Sequence, residues 1–451
     1  YIAASTFGGE GGNLTINTSN SLEISAAFIA TGTGINAVGN AGEIKISTRR
    51  LLVENNGLIT TSSFGVGKGG NLTLNATDSI EVSSSNPIPL SPNARAFGGV
   101  FTSGLGVGDA GELRINTRQL TIRSGAALAA SSFGQGQGGD ITIKASEFVK
   151  LEGNSPDGQL LSAITSVTEP GSIGRGGNLT IETDRLILRD GGRVSIRSRG
   201  TGNAGNLIIQ ANSVLMNNDG GLEGTSASGE GGNITVRSRN LQMRNNSFIS
   251  ATAGTEGGAG NGGNININTE TLVALENSDI TANSVASQGG KVTINAQGIF
   301  GIQYRLTNTP NSDITATGGT PDLSGVVQIN TPDVQTTNAL VLLPENFTDI
   351  SNQIVAGCST SGGNSFVITG RGGLPEDPNQ TLRSSTVWRD LRAFGEMGGN
   401  ASPTSESPIP SPQSPIIEAT GWVKNADGKV ELITRSTPQN SWYKLPLCPV
   451  Y

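Results

Sequence analysis

No histidine occurs anywhere in the 451 residues. A Ser-His-Asp or Cys-His nucleophile is therefore impossible, and so is any metal centre that relies on imidazole. Basic residues are outnumbered: 29 Lys and Arg stand against 36 Asp and Glu, a net charge of -7. Nucleic-acid affinity rests on neutralising phosphates with Lys and Arg, so this balance argues against such a partner. No apolar run is long enough to span a bilayer, and no basic-then-apolar segment opens the chain as a signal peptide would. The chain starts at Tyr1, inside what proves to be a repeat, and reads as the later part of a longer protein whose targeting signal lies upstream. There are only two cysteines, Cys358 and Cys448. An oxidising compartment would allow them one disulfide, and two reduced thiols are the alternative. Aromatic residues make up 4% of the chain, whereas glycine is abundant, at 65 residues. That is not the composition of an ordinary globular enzyme.

Glycine is where the order lies. "GEGGNLTIN" at 9–17 returns as "KGGNLTLN" at 68–75, "RGGNLTIE" at 175–182, "EGGNITVR" at 230–237 and "NGGNININ" at 261–268. Anchored on the second glycine, the series is Gly12, Gly42, Gly70, Gly111, Gly139, Gly177, Gly205, Gly232, Gly263 and Gly290, with a degenerate member at Gly325. The intervals are 30, 28, 41, 28, 38, 28, 27, 31, 27 and 35, a floor of 27 or 28 with occasional enlargement, as in a solenoid with loop insertions.

Each unit carries three short apolar runs. After Gly42 they are "EIKIS" (43–47), "LLVEN" (51–55) and "LITTS" (58–62). Ile44 and Ile46 alternate with Glu43 and Lys45, and period two means a strand with one buried face. Three such strands cannot bury their apolar side alone, but stacked coils can. The expected fold is an all-β, right-handed parallel β-helix of about eleven coils over 1–335, each of about 28 residues and three strands, with the hand set by the general rule for parallel crossovers. Propellers and serial sandwiches usually need longer repeats and more aromatic packing. A C-terminal cap is expected at 336–370 and an irregular tail at 371–451. Within the tail "SPTSESPIPSPQSP" (402–415) reads as a proline-rich linker and "GWVKNADGKVELI" (421–433) as a β-hairpin.

The repeats, together with "LPENFTDISNQIVAGC" and "FVITGRGGLPEDPNQTLRSSTVWRDLR", resemble the C-terminal part of filamentous-haemagglutinin-like exoproteins of the two-partner secretion type, in the cyanobacterial form. The resemblance covers essentially the whole chain. It implies an extracellular or outer-surface adhesin, exported through a dedicated outer-membrane β-barrel transporter, with a cell-surface or matrix glycan or protein as ligand. It supplies no catalytic motif and no cofactor. A polysaccharide lyase or hydrolase on the same fold is the second class, and a contact-dependent toxin stalk the third.

Candidate sites divide unevenly. "GVGKGG" (65–70) lacks the Ser or Thr of a nucleotide loop, and Asp109 in "GLGVGDAG" has no counterpart one coil on for calcium. The sequons at Asn13, Asn71, Asn178 and Asn233 follow from a turn residue before an alternating strand. Because that position also reads Glu43, Glu112 and Lys291, it is expected to face solvent and to be replaceable, while the paired glycines mark a crowded corner that also favours positive φ. Arg185, Arg189, Asp190, Arg193, Arg197 and Arg199 form the densest charged patch, read as a solvated face. The insertions at 83–99, 152–161 and 303–311 all follow the second run. They are expected to project from one edge, with Arg95, Phe97, Tyr304 and Arg305 as ligand-contact residues.

Overall fold

The computed structural model describes residues 1–84, 88–91, 94–96, 98–332, 421–424 and 430–433. The first unit is a β-solenoid of about ten turns. One stack of strands runs from Ile2–Thr6 to Asp313–Thr315, the other from Leu14–Asn17 to Val326–Asn330, each over eleven levels. Neighbours pair in parallel, as in Ile44↔Leu72 and Ile59↔Val100. Ten steps of about 4.8 Å make the stack about 48 Å tall.

The period-two reading of the runs holds. Ile44 with Ile46, Leu72 with Leu74, Leu113 with Ile115 and Ile141 with Ile143 are all buried in one continuous core, joined there by the second-run pairs such as Leu51 with Val53. In most coils the first and second runs meet as one long strand, Ile44–Glu54 for example, bent where the pairing register shifts between Thr48 and Arg50. An extra residue on one strand produces such a bend, so two runs become two walls without a true turn. The third run closes the coil through buried hydroxyls. Thr102 Oγ1 donates to Gly111 O at 2.6 Å and Ser166 Oγ to Gly139 O at 2.9 Å, satisfying polar groups that burial would otherwise leave costly.

The paired-glycine corner is crowded, but its conformation is not the expected one. None of the anchor glycines takes a positive φ. What forbids a side chain is the coil behind: a Cβ at Gly42, Gly70, Gly111, Gly139, Gly177, Gly205, Gly232, Gly263 or Gly290 would lie under 3.0 Å from the carbonyl oxygen of the preceding anchor. Gly12, in the first coil, meets only Ala4 Cβ at 3.3 Å and Ala4 O at 3.9 Å. Positive φ appears instead at the corner between the second and third runs, at Asn55 and Asn56, Ser124, Asp190, Asn218 and Asp219, Asn245 and Asn246, and Asn277, and also at Ala26 and Glu276. Asn and Asp tolerate the left-handed region better than other side chains. The chain thus uses glycine for close approach at one corner and Asn or Asp for backbone twist at another.

Leu340–Tyr451 forms a separate unit. Its strands Gly421–Lys424 and Val430–Ile433 pair antiparallel where the sequence places a hairpin. The expected cap, the proline-rich linker, Cys358 and Cys448 lie outside the described residues.

Candidate functional site

All three insertions begin at the corner between the second and third runs, but the last does not project as expected: its strand Gln303–Tyr304 stacks in parallel on Asp313–Thr315 and extends that sheet by one strand. Along that corner they are well separated. They follow Leu72–Ser83, Ile141–Glu152 and Lys291–Phe300, the third, fifth and tenth levels of their stack. Seven steps between the first and last amount to about 34 Å. Arg95 sits in the strand Ala94–Ala96, paired antiparallel with Ile88–Ser91, and Phe97 lies outside the described residues. The structure therefore does not gather Arg95 with Tyr304 and Arg305. Loops of one register share an edge, but stacking order decides whether they meet.

Arg305 is also not free to take a ligand. Its guanidinium donates to Ser312 O at 3.1 Å, to Gln303 Oε1 at 3.2 Å and to the Asp313 carboxylate. Asp313 is buried, and its other oxygen accepts the Thr309 hydroxyl at 2.9 Å and backbone N–H at 2.5 Å. Burial pushes the Asp313 carboxyl up, but the Arg305 guanidinium and the Thr309 donors outweigh it and hold the group below the usual carboxylate range. One coil earlier Asp279 accepts the Asp313 backbone N–H at 2.9 Å, and burial raises its carboxyl above the usual range. These are carboxylates across adjacent coils, the arrangement a β-helical hydrolase requires. Here both Asp313 oxygens are committed to the insertion 301–312, so the pair fastens the loop. The sequence carried a signal for it: "NSDITA" occurs at 277–282 and again at 311–316. Tyr304 remains exposed.

The arginine patch divides between two walls of the coil. Arg185 and Arg189 lie on the strand Leu179–Arg189, and Arg193 and Arg197 on Arg193–Ser198. Arg189 pairs with Glu152, Arg193 with Glu223 at 2.8 Å and Arg199 with Glu169 at 2.9 Å. Burial pushes Glu152 up, yet hydrogen bonds from Lys150 and Arg189 bring it below the ordinary range. Further along, Asp78 receives Arg49 and Arg118, both at 3.1 Å. Arg118 also reaches Glu147 at 2.8 Å, and hydrogen bonds from Gln119 and Arg118 hold Glu147 below its usual range. Asp109 is likewise engaged, accepting Gln137 N at 2.8 Å and pairing with Lys68 at 3.3 Å. Such exposed pairs add little singly but tie each coil to the next.

The position after the anchor glycine is exposed or half-exposed, as expected, but it does form a ladder. Asn13 Oδ1 accepts Glu43 N at 2.8 Å, Asn71 Oδ1 accepts Glu112 N at 3.0 Å, and Asn178 Oδ1 accepts Asn206 N at 3.2 Å. Asn206, Asn233 and Asn264 continue it through their amides. The side-chain nitrogens of Asn71, Asn178 and Asn233 each donate along the ladder, which accounts for the recurring sequons structurally. The position is replaceable, since Glu43, Glu112 and Lys291 also occupy it, but where Asn stands its oxygen adds a bond to the next coil that the turn alone does not supply.

Exposed apolar side chains concentrate elsewhere, on the glycine-rich loop after the third run, at Phe7, Ile35, Val38, Phe64, Val66, Val107, Phe133 and Ile173. Among the described residues no three Asp, Glu or Cys cluster as metal ligands, and no helix is long and apolar enough to cross a membrane. No family model, no curated protein and no solved structure matches the chain.

Proposed function

We propose that this protein is a secreted or cell-surface adhesin or structural exoprotein, whose solenoid is a rigid element presenting binding surface. The supporting observation is the coil-to-coil bonding of the outward side chains. Asparagine ladders and alternating ion pairs cross-link successive turns on the walls, while the apolar loop row is left exposed. A repeat stack bound this way resists bending, and weak contacts repeated along it add up by multivalency. The resemblance adds the route: export through an outer-membrane β-barrel transporter, and a glycan or protein ligand on a cell surface or in a matrix.

Binding is favoured over hydrolysis because Asp313, which lies beside Asp279 across neighbouring coils, is taken up by Arg305 and Thr309. A glycan-array screen run with an assay for released reducing sugar tests the reading. Binding without turnover is the expected result. Turnover that Asp279→Asn abolishes would replace the adhesin with an enzyme.

A further inference from the structure

The glycine-rich loop after the third run sets residues of successive coils in line. Gly34 N donates to Thr6 O at 2.8 Å, Phe64 N to Thr33 O at 3.2 Å, Leu105 N to Ser63 O at 2.7 Å and Phe133 N to Gly104 O at 2.8 Å. The first residue of this loop in five consecutive coils is therefore Phe7, Gly34, Phe64, Leu105 and Phe133. The three rings are each two coils apart, about 10 Å. They are also open to solvent, with exposures of 92%, 49% and 48%.

This row does not serve packing within the chain. Aromatic rings that stabilise a β-helix by stacking on one another occupy neighbouring coils, and here Gly34 and Leu105 intervene. Phe7 leans over Gly34, where an added Cβ would meet Phe7 Cδ1 at 3.0 Å. Phe7 and Phe64 line one groove of about 810 Å³ with Gly32, Gly34, Thr60 and Ser62. A contiguous exposed apolar strip on a soluble surface marks an interaction site.

Charge selects the occupant. Over the same coils the adjoining strand positions are the half-exposed Ala30, Thr60, Ser62 and Phe101 and the buried Gly32, Ser103, Ala129 and Ser131, without an ionised group. Lys68, the cation of this loop, is already paired with Asp109. Charges enter only at the next levels, with Glu169 and then Arg193 and Arg199. A polyanion would find no counter-charge along the row, whereas a neutral ligand with apolar faces and hydroxyl edges matches both the rings and the Thr and Ser beside them. In a β-1,4-linked pyranose chain the equatorial substituents leave each ring two faces of axial C–H bonds. Successive rings are flipped, so one aspect recurs at every second residue, a repeat about as long as two coils.

We propose that Phe7, Phe64 and Phe133 form a stacking row for an uncharged β-1,4-linked glycan chain lying along the solenoid axis. The proposal rests on the adhesin reading above and names its ligand class. Calorimetric titration of the full chain with cello- and chito-oligosaccharides of two to six units tests it. Affinity should step up from the trisaccharide, which meets two rings, to the pentasaccharide, which meets three, and then level off. Phe64→Ala should weaken pentasaccharide binding about tenfold without shifting the melting temperature, since the ring lies at the surface. Phe300→Ala, exposed but off the row, should change nothing. The proposal fails if no neutral oligosaccharide binds, if Phe64→Ala binds as well as the parent, or if the row captures a protein or a charged glycan instead. Attachment to some other ligand would then leave the adhesin reading standing; loss of all attachment in the array would remove both.

Discussion

Gly177 offers the sharpest test of why the paired glycines are there. A Cβ at this position falls inside contact distance of Gly139 O, and lies 2.6 Å from both Gly138 O and Gly139 C, all backbone of the coil behind. Backbone cannot rotate away, so the two coils must separate locally. The bonds at stake are Ile141 N to Asn178 O at 2.8 Å, Gly138 N to Arg175 O at 3.0 Å, and the Ser166 hydroxyl that joins Gly177 N at 3.0 Å to Gly139 O at 2.9 Å. Losing two or three of these costs about 1 kcal/mol each, and overpacking strain adds about 1–3 kcal/mol. Gly177→Ala should therefore lose about 3–6 kcal/mol, a large share of a typical folding free energy of about 5–15 kcal/mol. Gly12→Ala is the internal control, because its nearest neighbour is a methyl group at 3.3 Å. It should be neutral, or gain up to about 1 kcal/mol from a stiffer unfolded chain. Guanidinium unfolding followed by far-UV circular dichroism measures both, and amide exchange at Ile141 and Gly138 locates the damage. Gly177→Asn separates the two explanations of the glycine. If positive φ were the requirement, asparagine would be tolerated; if the close approach of coils is the requirement, it fares no better than alanine. A stable Gly177→Asn, or a Gly12→Ala as damaging as Gly177→Ala, would refute the steric account.

Three further outcomes follow from other corners of the coil. At Asp219, where φ is 60°, Asp219→Gly should leave stability within a few tenths of a kcal/mol, while Asp219→Val should cost about 1–2 kcal/mol in the same denaturant titration. Asn178→Ala removes the oxygen that accepts Asn206 N and Nδ2 at a solvated corner, so a thermal melt should register about 0.5–1.5 kcal/mol, and Asn178→Asp should lose less; equal losses would disprove the acceptor role. Arg305→Met leaves the buried Asp313 carboxylate with Thr309 alone and should cost about 3 kcal/mol, read as faster exchange across 301–312. The pH dependence has a definite sign. Asp313 has a lowered carboxyl pKa in the fold, so its contribution is complete above the unfolded value of about 3.9 and is lost as pH falls through the folded one. Asp279 is raised and acts oppositely, giving up stability as pH rises through its folded value. The acid limb should therefore flatten in Arg305→Met; an unchanged limb would mean that Asp313 is not the titrating group.

Much of this architecture could be read from the sequence because β-solenoids encode their core locally. Ile44 and Ile46 alternate within five residues, and the glycine anchors recur whatever is inserted between them. The insertion corner was legible for the same reason, since 83–99, 152–161 and 303–311 all enlarge the same step. What escaped depends on distances that stacking sets rather than spacing. Asp78 meets Arg49 across 29 residues and Arg118 across 40. No fixed period finds both partners, because the intervals between coils vary. The merging of the first two runs escaped as well, since a bulge at Thr48 to Arg50 is a backbone event with no residue signature of its own. The positive-φ corner did have one, in "ENNG", "RDGG", "NNDG" and "RNNS" after four of the second runs.

The corners of the coil bear unequal constraints, and this decides where recognition can reside. At the paired-glycine corner the second position admits no side chain from Gly42 onward, because the coil behind occupies the space. The corner after the second run is held by backbone conformation mostly to Asn, Asp, Ser or Gly, with Ala26 and Glu276 the exceptions, and it gains further variety by admitting a longer loop, as at 301–312, where Arg305 and Asp313 are then spent on holding that loop down. The bend between the first two runs is taken up by ion pairs such as Arg118 with Asp78 and Glu147. The residue that opens the glycine-rich loop is under none of these demands. It varies freely among Phe, Gly, Leu, Glu and Arg from coil to coil while its backbone stays bonded to its neighbours. Folding does not ask for exposed phenylalanine there. Three of them at two-coil intervals, in a chain with only 12 phenylalanines, set the row apart as the part of the surface where composition answers to a partner rather than to the stack.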